Sequence, residues 1–345
     1  MKITTITGLG ALTAAFIISA APLAQAETPA EFYKGKTISM MIGYPPGGGY
    51  DIYARLIATH MERHMPGNPS IVPKNRPGAA SLMAVNELYS VNPKDGTYIA
   101  TFARSVSMDR LLGRQGTNFA PTEFNWIGSA NNEVSICTVW HTVGIKTVQD
   151  LLTREIIFGA NAAGSESDVY PTILRNLFGA KVRTVTGYPG ANDLMLAMER
   201  GETQGRCGYT WSAAQATRAD WIAEGKIVVA LQFSAEKHPD LPNVPTVMEL
   251  ARNDHERLAL ELILAGQAMG RPFAAPPGVP ADRVTALRRA FDATMADTAF
   301  RSEADKLKLE LQPVPGEEIQ ALVVRMFAAP KDVIETARQA IERSN

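Results

Sequence analysis

The chain has 345 residues, of which 46% are hydrophobic and 20% charged, and its formal net charge at pH 7 is −1. This composition fits a globular protein, and a charge so close to neutral argues against a nucleic acid as its partner. The length predicts two domains or one large one.

The N-terminus has the features of a secretory signal peptide. Lys2 supplies a positive charge, an apolar run follows over residues 9–21, and Ala24-Gln25-Ala26 is a small-x-small cleavage pattern. A membrane anchor is the alternative, but the run is short for a span and is interrupted by Gly10. We therefore predict a signal peptide over residues 1–26 and a mature chain that is exported to the periplasm.

Two cysteines, Cys137 and Cys207, lie in segments with the character of strands. In an oxidising compartment such a pair can form a disulfide, and the alternative is two buried thiols that act as small hydrophobic residues. The sequence leaves both open. The five histidines show no zinc-like spacing with either cysteine, and His60 and His64, four apart, are better explained as an exposed helix face. We predict no metal and no cofactor.

Strands and helices alternate along the chain. A strand over residues 38–42 runs into a glycine-rich loop, after which apolar residues recur at helical spacing. Further strands are predicted over 70–72, 98–102, 136–140, 156–160, 181–185, 206–209 and 227–233, and helices over 81–89, 168–178 and 191–198, with two more near the C-terminus. This alternation predicts an α/β fold with doubly wound, mostly parallel sheets that carry helices on both faces.

The loop Pro46-Gly47-Gly48-Gly49 is a candidate binding loop. It follows a strand, and ligands of doubly wound sheets bind beyond the carboxyl ends of the strands. Its glycines let backbone N–H groups approach a ligand, and the helix that follows adds a partial positive charge, so the loop can hold an anion without a lysine. A plain turn is the alternative, but it would not require three consecutive glycines, which cost chain entropy.

Enzyme motifs do not fit the candidate loops. A P-loop would end in Gly-Lys-Ser/Thr, whereas Gly49 is followed by Tyr50, and a dinucleotide fingerprint would have a glycine in place of Ile52. Ser165 lacks the second glycine of a nucleophile elbow. We predict a protein that binds a solute and is not an enzyme. A secreted hydrolase on the same fold is the alternative, and a nucleophile–base pair in the cleft would support it.

Six motifs carry a resemblance to a known family. They are Tyr-Lys-Gly-Lys-Thr-Ile at 33–38, Pro-Pro-Gly-Gly-Gly-Tyr-Asp at 45–51, Asn-Arg-Pro-Gly-Ala at 75–79, Asn-Pro-Lys-Asp-Gly-Thr at 92–97, Gly-Tyr-Pro-Gly at 187–190 and Leu-Pro-Asn-Val-Pro-Thr at 241–246. Each motif alone is weak, but in this order and spacing they are specific. Over essentially its whole mature length, the chain resembles the tripartite tricarboxylate transporter receptors, also called the Bug family.

The resemblance implies a two-domain clamshell, or Venus flytrap, that binds a small organic carboxylate between its lobes and passes it to a membrane permease of two integral subunits. Lobe 1 would comprise residues 27–133 and 231–345, lobe 2 would comprise residues 134–230, and we expect a monomer. In this arrangement Cys137 and Cys207 lie near the crossings between the lobes, which favours the disulfide. Presentation of the solute to a sensor protein is the alternative to transport.

The resemblance also carries a binding site over to this chain, position by position. It places these residues at the ligand: Tyr44, Pro46, Gly47, Gly48, Gly49, Asp51, Arg104, Ser105, Gly164, Ser165, Ser167, Tyr188, Pro189 and Gly190. Two positions depart from the family pattern, because its turn lysine is Pro189 here and its threonine after the glycines is Tyr50. A pocket that tolerates an aromatic acid could be lined by tyrosines: Tyr44, Tyr50, Tyr53 and Tyr188.

Each charged residue near this site has two interpretations. Glu166 and Asp168 either point to solvent at a helix start, where acidic residues are favourable, or meet an amino group of the ligand, as Asp51 could. Arg104 is either a surface residue or the partner of a second carboxylate, which suits the geometry of a guanidinium. The sequence therefore does not name the ligand.

Overall fold

The computed structural model describes residues 1–2, 27–132 and 134–343. The predicted signal peptide, apart from its first two residues, lies outside the described part of the chain. No helix within those ranges is both long enough and apolar enough to cross a membrane.

The strands follow the predicted segments closely and add three that the sequence pattern did not indicate. In chain order they are β1 (Thr37–Ile42), β2 (Ser70–Asn75), β3 (Tyr98–Thr101), β4 (Asn125–Ser129), β5 (Ser135–Trp140), β6 (Ile156–Ala160), β7 (Val182–Thr186), β8 (Gly205–Thr210), β9 (Ile227–Phe233), β10 (Pro272–Ala275) and β11 (Val314–Pro315). The added strands are β4, β10 and β11. They are short, and too few residues lie in each to display a period.

The helices include all those predicted. In chain order they are α1 (Pro29–Tyr33), α2 (Gly49–Met61), α3 (Leu82–Ser90), α4 (Val106–Asp109), α5 (Val148–Thr153), α6 (Glu166–Phe178), α7 (Ala191–Glu199), α8 (Trp211–Ala223), α9 (Asp254–Leu264), α10 (Ala281–Ala296), α11 (Thr298–Lys306), α12 (Gly316–Phe327) and α13 (Lys331–Ile341). Gly201 follows α7 with φ of +73°, the left-handed conformation expected of a residue that ends a helix.

The described strands form two sheets, ordered β11-β4-β10-β3-β1-β2 and β7-β6-β8-β5-β9. Strand β1 pairs in parallel with β2 and β3, and β6 pairs in parallel with β7 and β8. The remaining pairs, which involve β4, β5, β9, β10 and β11, are antiparallel. The sheets are therefore mixed rather than mostly parallel. The sequence pattern predicted β5 and β9 as strands but not that they pair antiparallel, and it missed the short antiparallel strands of the first sheet.

Helices cover both faces of each sheet, as predicted. On the first sheet, α2 and α10 share one apolar cluster with β1, while α3 and α12 share a second cluster with β3. On the second sheet, α6 packs on one face and α7 and α8 pack on the other. The prediction of a two-lobed α/β fold is confirmed.

Two helices bear on the predicted lobe boundaries. Helices α9 and α13 come from the chain after residue 231, yet they pack together and contribute buried residues to the same apolar cluster as β5, β6 and α6 of the second sheet. The strands divide between the sheets as the predicted lobes do, whereas these helices return to the second sheet. The boundaries remain a prediction.

Cys137 of β5 and Cys207 of β8 are joined in a disulfide in the structure. The two strands are antiparallel neighbours, and both sulfur-bearing side chains are fully buried. The sequence left this pairing open, and the bond now ties together two strands of the second sheet.

His60 and His64 do not form the exposed helix face that the sequence suggested. The His60 side chain is buried and lies 2.8 Å from a carboxylate oxygen of Glu303, and His64 lies 2.9 Å from Asp297. Both acidic residues belong to the start or body of α11, so the two histidines anchor the end of α2 to that helix. Spacing alone did not reveal this, since the partners lie far along the chain.

Candidate functional site

The glycine-rich loop of the first sheet positions the N-terminus of α2. Gly47 has φ of +80°, which a residue with a side chain rarely adopts, and Gly48 is the N-cap and offers no side chain to the helix N–H groups. The backbone N–H of Gly47 donates to Oδ2 of Asp51 over 2.9 Å. The carboxylate of Asp51 thus ties the loop back onto the first turn of the helix.

The carboxylate of Asp51 is held by three groups of the first lobe. Its side chain is buried, and besides Gly47 it accepts hydrogen bonds from Nε of Arg55 over 2.9 Å and from Nδ2 of Asn75 over 2.8 Å. Burial is the largest single effect on the pKa of this carboxyl and would raise it. The hydrogen bonds, led by that from Arg55, together outweigh burial and hold the pKa below its ordinary value. The helix begins two residues before Asp51, so this residue stabilises the loop from behind.

The second sheet repeats the same device at the start of α6. Gly164 has φ of +75°, and its N–H donates to Oδ2 of Asp168 over 2.9 Å. Ser165 is the N-cap, but its hydroxyl donates to the carbonyl of Ala162 and lies 2.9 Å from the hydroxyl of Ser167. Asp168, like Asp51, thus ties its loop back onto the first turn of the helix.

Gly208 of β8 allows α6 to approach the sheet. Its φ is +67°, and a Cβ there would lie 2.8 Å from the backbone nitrogen of Ser167 and 2.8 Å from the carbonyl carbon of Glu166. A side chain at this position would push the first turn of α6 away from the strand. The glycine therefore sets where this helix N-terminus lies.

Four helix N-termini open onto one cleft. Their N-cap residues are Gly48, Ser165, Gly190 and Thr210, at the starts of α2, α6, α7 and α8, and none makes a side-chain capping hydrogen bond. All four N-cap residues line the cleft. Uncapped N–H groups and the positive ends of helix dipoles favour an anion, and four of them in one place make an anion-binding environment.

The cleft lies between the two sheets and is partly open to solvent. Water has access to about 90 Å³ of it. The sides meet closely, because a Cβ at Gly190 would lie 3.4 Å from Cγ of Pro45, and one at Gly47 would lie 3.4 Å from Nδ2 of Asn192. The cleft is lined by Tyr44, Pro45, Pro46, Gly48, Gly49, Tyr50, Asn161, Ser165, Glu166, Ser167, Gly190, Ala191, Asn192, Asp193, Arg206, Gly208, Tyr209, Thr210, Ala213 and Arg271.

Arg104 is not a surface residue. Its side chain is 1% exposed, and its Nε and Nη2 donate to the two carboxylate oxygens of Glu166 over 2.6 and 2.9 Å. Nη2 also donates to the hydroxyl of Ser135. Arg104 follows β3 of the first sheet and Glu166 begins α6 beside the second, so this ion pair joins the two sides of the cleft. Glu166 therefore does not simply point to solvent, and it lines the cleft as a partner of Arg104.

Two of the four predicted tyrosines, Tyr44 and Tyr50, line the cleft. The rings of Tyr44 and Tyr50 stack with centroids 4.8 Å apart, and the guanidinium of Arg271 lies 4.6 Å from the Tyr50 centroid. Burial raises the pKa of both phenols, so their hydroxyls stay protonated. Tyr188 and Pro189 line an adjoining cavity of about 260 Å³. Tyr53 is fully buried, with its hydroxyl donating to the carbonyl of Glu310.

Two arginines in the cleft were missed by the sequence reasoning. Arg206 lies in β8 and Arg271 immediately precedes β10, and both are almost completely buried. The sequence held a signal for Arg206, because it lies within a segment predicted as a strand, and an arginine is almost never fully buried unless its charge is paired. Arg271 had none, because β10 was not predicted and the residue reaches the cleft only through the tertiary fold.

Arg206 makes few contacts for a buried charge. Its Nη1 donates to the carbonyl of Ala191 over 3.3 Å, and its guanidinium lies 4.4 Å from the ring centroid of Tyr209. Its Nε has no hydrogen-bond partner among the described residues. Burial lowers the pKa of this guanidinium to about 10.

The structure brings together half of the residues that the sequence placed at the ligand. Those that line the cleft are Tyr44, Pro46, Gly48, Gly49, Ser165, Ser167 and Gly190. Gly47, Gly164 and Asp51 support the loops, Arg104 forms the ion pair, and Ser105 starts the short helix α4. Within the described ranges, no group of three or more His, Cys, Asp and Glu side chains could hold a metal ion.

Comparison with known sequences gives distant relatives along the whole chain. The UPF0065 protein of the gbd 5′ region of Cupriavidus necator is 25% identical over 340 residues, which cover 95% of this chain and 94% of the relative. No protein-family model matches the chain.

Solved structures share the fold. The periplasmic binding protein BugD is 19% identical with a TM-score of 0.70, covering 90% of this chain and all 100% of that one. A TctC solute binding protein from Polaromonas is 20% identical with a TM-score of 0.60, covering 88% and 99%. MatC from Rhodopseudomonas palustris, solved with bound malate, is 19% identical with a TM-score of 0.65, covering 89% and 99%.

The sequence relatives and the solved structures agree with the motifs found in the sequence. The chain is a relative of the UPF0065 proteins with the two-lobed fold of the periplasmic binding proteins BugD and TctC, and its resemblance to the tripartite tricarboxylate transporter receptors, the Bug family, is confirmed.

Proposed function

We propose that the protein is a periplasmic solute-binding protein that captures a small organic carboxylate between its lobes and delivers it to a tripartite tricarboxylate-type membrane permease. The observation that carries this proposal is the convergence of four uncapped helix N-termini on one cleft. Such a site favours an anion, and it needs no catalytic group.

The magnitudes are sufficient for a transport receptor. Each charge-assisted hydrogen bond from a helix N–H or a guanidinium to a carboxylate contributes roughly 1.5–3 kcal/mol. A few such bonds supply the approximately −8 kcal/mol of micromolar binding. Because α2 belongs to one side and α6 and α7 to the other, a ligand held by both would favour closure.

The known ligands of relatives agree in chemical class. MatC was solved with malate, a small dicarboxylate. The cleft of this chain has hydroxyl, amide and glycine backbone groups around its helix termini, which suits a carboxylate. The hydroxyls of Ser165 and Ser167 bond to the loop backbone and to each other rather than to a base, which favours binding over hydrolysis.

A thermal-shift screen of refolded, ligand-stripped mature protein tests the proposal. The panel is malate, adipate, citrate, benzoate and a set of amino acids. A ligand at 100 times its dissociation constant should stabilise the protein by about 2.7 kcal/mol. No shift with any carboxylate would overturn the proposal, and recovery of a converted product would favour the enzyme.

Gly48 offers a matched pair of variants for the same screen. A Cβ at Gly48 has no heavy atom within 4 Å, so Gly48→Ala should fold and keep most of the binding. Gly48→Asp should also fold, because Asp is a favourable N-cap, but its carboxylate would satisfy the N–H groups of α2 and repel an anion. We expect Gly48→Asp to lose the shift and Gly48→Ala to keep it.

Delivery to a permease needs a cellular test. Deletion of the coding sequence should abolish uptake of the identified ligand at micromolar concentration, and the wild-type chain should restore it whereas Gly48→Asp should not. Unchanged uptake in the deletion strain would favour presentation of the ligand to a sensor.

A further inference from the structure

Arg206 is a buried positive charge that the described chain does not neutralise. Its side chain is 3% exposed and lines the cleft. Nη1 donates to the carbonyl of Ala191, whereas Nε and Nη2 make no hydrogen bond to any described residue. It forms no ion pair with a described carboxylate, and its guanidinium lies 4.4 Å from the ring centroid of Tyr209.

Such an arrangement is costly in the protein alone. Removing a guanidinium from water carries a large desolvation penalty, which a single carbonyl and an aromatic ring repay only in part. The lowered pKa of Arg206 reflects the same penalty. Arg104 shows the contrast within the same region, because it is equally buried but donates two hydrogen bonds to Glu166.

The edge of the guanidinium formed by Nε and Nη2 has the geometry for a carboxylate. Two parallel N–H groups on one edge match the two oxygens of a carboxylate in a bidentate pair. The start of α7 lies beside Arg206, because Arg206 donates to the carbonyl of Ala191 in the first turn of that helix. Gly190 is the uncapped N-cap of α7. An anion at this edge would therefore also face a helix N-terminus.

We propose that Arg206 is the specificity-determining residue of the cleft and that it binds a carboxylate of the ligand directly, as a bidentate ion pair through Nε and Nη2. This inference rests on the proposed function and assigns the group that selects the ligand's charge. A neutral analogue of the same shape, such as the amide, leaves the buried guanidinium unpaired and is rejected.

The test compares Arg206→Met and Arg206→Lys with the wild-type mature protein. Met keeps the length of the side chain without its charge, and Lys keeps the charge without the planar fork. Arg183→Met is the matched control, because Arg183 lies exposed in β7 of the same sheet. Calorimetric titration measures the affinity of each for the tightest ligand among malate, adipate, citrate and benzoate, and for its amide.

We expect Arg206→Met to weaken carboxylate binding about 100-fold, the equivalent of one strong bidentate pair, and to lower the ratio of acid to amide affinity by a similar factor. Arg206→Lys should restore about tenfold of this loss, and Arg183→Met should bind as the wild type does. The ligand-free Arg206→Met protein should be as stable as the wild type or more stable, since an uncompensated buried charge has been removed.

Two outcomes would overturn the inference. One is binding by Arg206→Met within about threefold of the wild type, with the acid-to-amide ratio unchanged. The other is a clear loss of stability in ligand-free Arg206→Met, which would assign Arg206 a structural role. Failure of the wild type to bind any carboxylate is a separate result, and it would overturn the proposed function itself.

Discussion

The disulfide between Cys137 and Cys207 should contribute a large share of the stability of the protein. It closes a loop with a sequence separation of 70 residues. In the chain-entropy description, restricting the unfolded chain over a loop of this length is worth about 4 kcal/mol, against net stabilities of about 5–15 kcal/mol for whole domains. We therefore expect Cys137→Ala/Cys207→Ala to lower the free energy of unfolding by about 4 kcal/mol, and by somewhat more where the buried alanines pack less well.

Urea unfolding measures this effect on the oxidised wild type, the reduced wild type and the double variant. The reduced wild type keeps both sulfur atoms in place, so its difference from the oxidised protein isolates the loop constraint, and its difference from the double variant gives the packing loss. Reductant should leave the double variant unchanged. A loss below about 1 kcal/mol on reduction would refute the reasoning, since the unfolded chain would then gain little freedom from opening the loop.

Three further predictions concern the cleft and its supports. Gly49→Ala should weaken ligand binding at least tenfold by titration calorimetry, because the added Cβ would lie 2.9 Å from Nη2 of Arg271, which lines the cleft. Affinity equal to that of the wild type would contradict a close approach of Gly49 to Arg271. Arg104→Met should lower the free energy of unfolding by about 3–5 kcal/mol, because it leaves the mostly buried carboxylate of Glu166 unpaired. The double variant Arg104→Met/Glu166→Gln should recover much of that loss in the same urea assay, and no recovery would show that the unpaired charge is not the cause. A hydrogen bond from His64 leads the interactions that lower the pKa of Asp297 to about 2. The contribution of the Asp297 carboxylate to stability is therefore fully present above its unfolded pKa near 3.8 and is lost as the pH falls toward 2. Asp297→Asn should flatten the acid dependence of the melting temperature over that range, and an unchanged profile would contradict this assignment.

Much of the fold could be predicted because its long elements carry a period. The apolar stripes of α2, α7 and α10 and the short apolar runs of β1 and β6 each show in a single window of sequence. Strands β4, β10 and β11 could not be found in this way, because they are short and their partners lie far away in the chain. Their antiparallel pairing is also what makes the first sheet mixed.

The candidate site divides along the same line. Backbone features such as the glycine-rich loop and the start of α6 were visible, since glycines and N-cap residues mark them locally. Side-chain partners were not, and so the sequence did not reveal that Asp51 bonds to Gly47 or that Arg104 pairs with Glu166. Arg206 was overlooked for the same reason, since its burial depends on how α7 and β8 meet.

The paired loops before α2 and α6 have a consequence for how affinity and selectivity are separated. In each, an aspartate carboxylate holds the N–H of the glycine four residues earlier, Asp51 with Gly47 and Asp168 with Gly164, so each of these two loops is shaped within its own lobe. Motion between the lobes then changes how often the halves come together but not what either half recognises. Substitutions in the connecting segments should scale the affinities for all ligands by one common factor and leave their rank order unchanged.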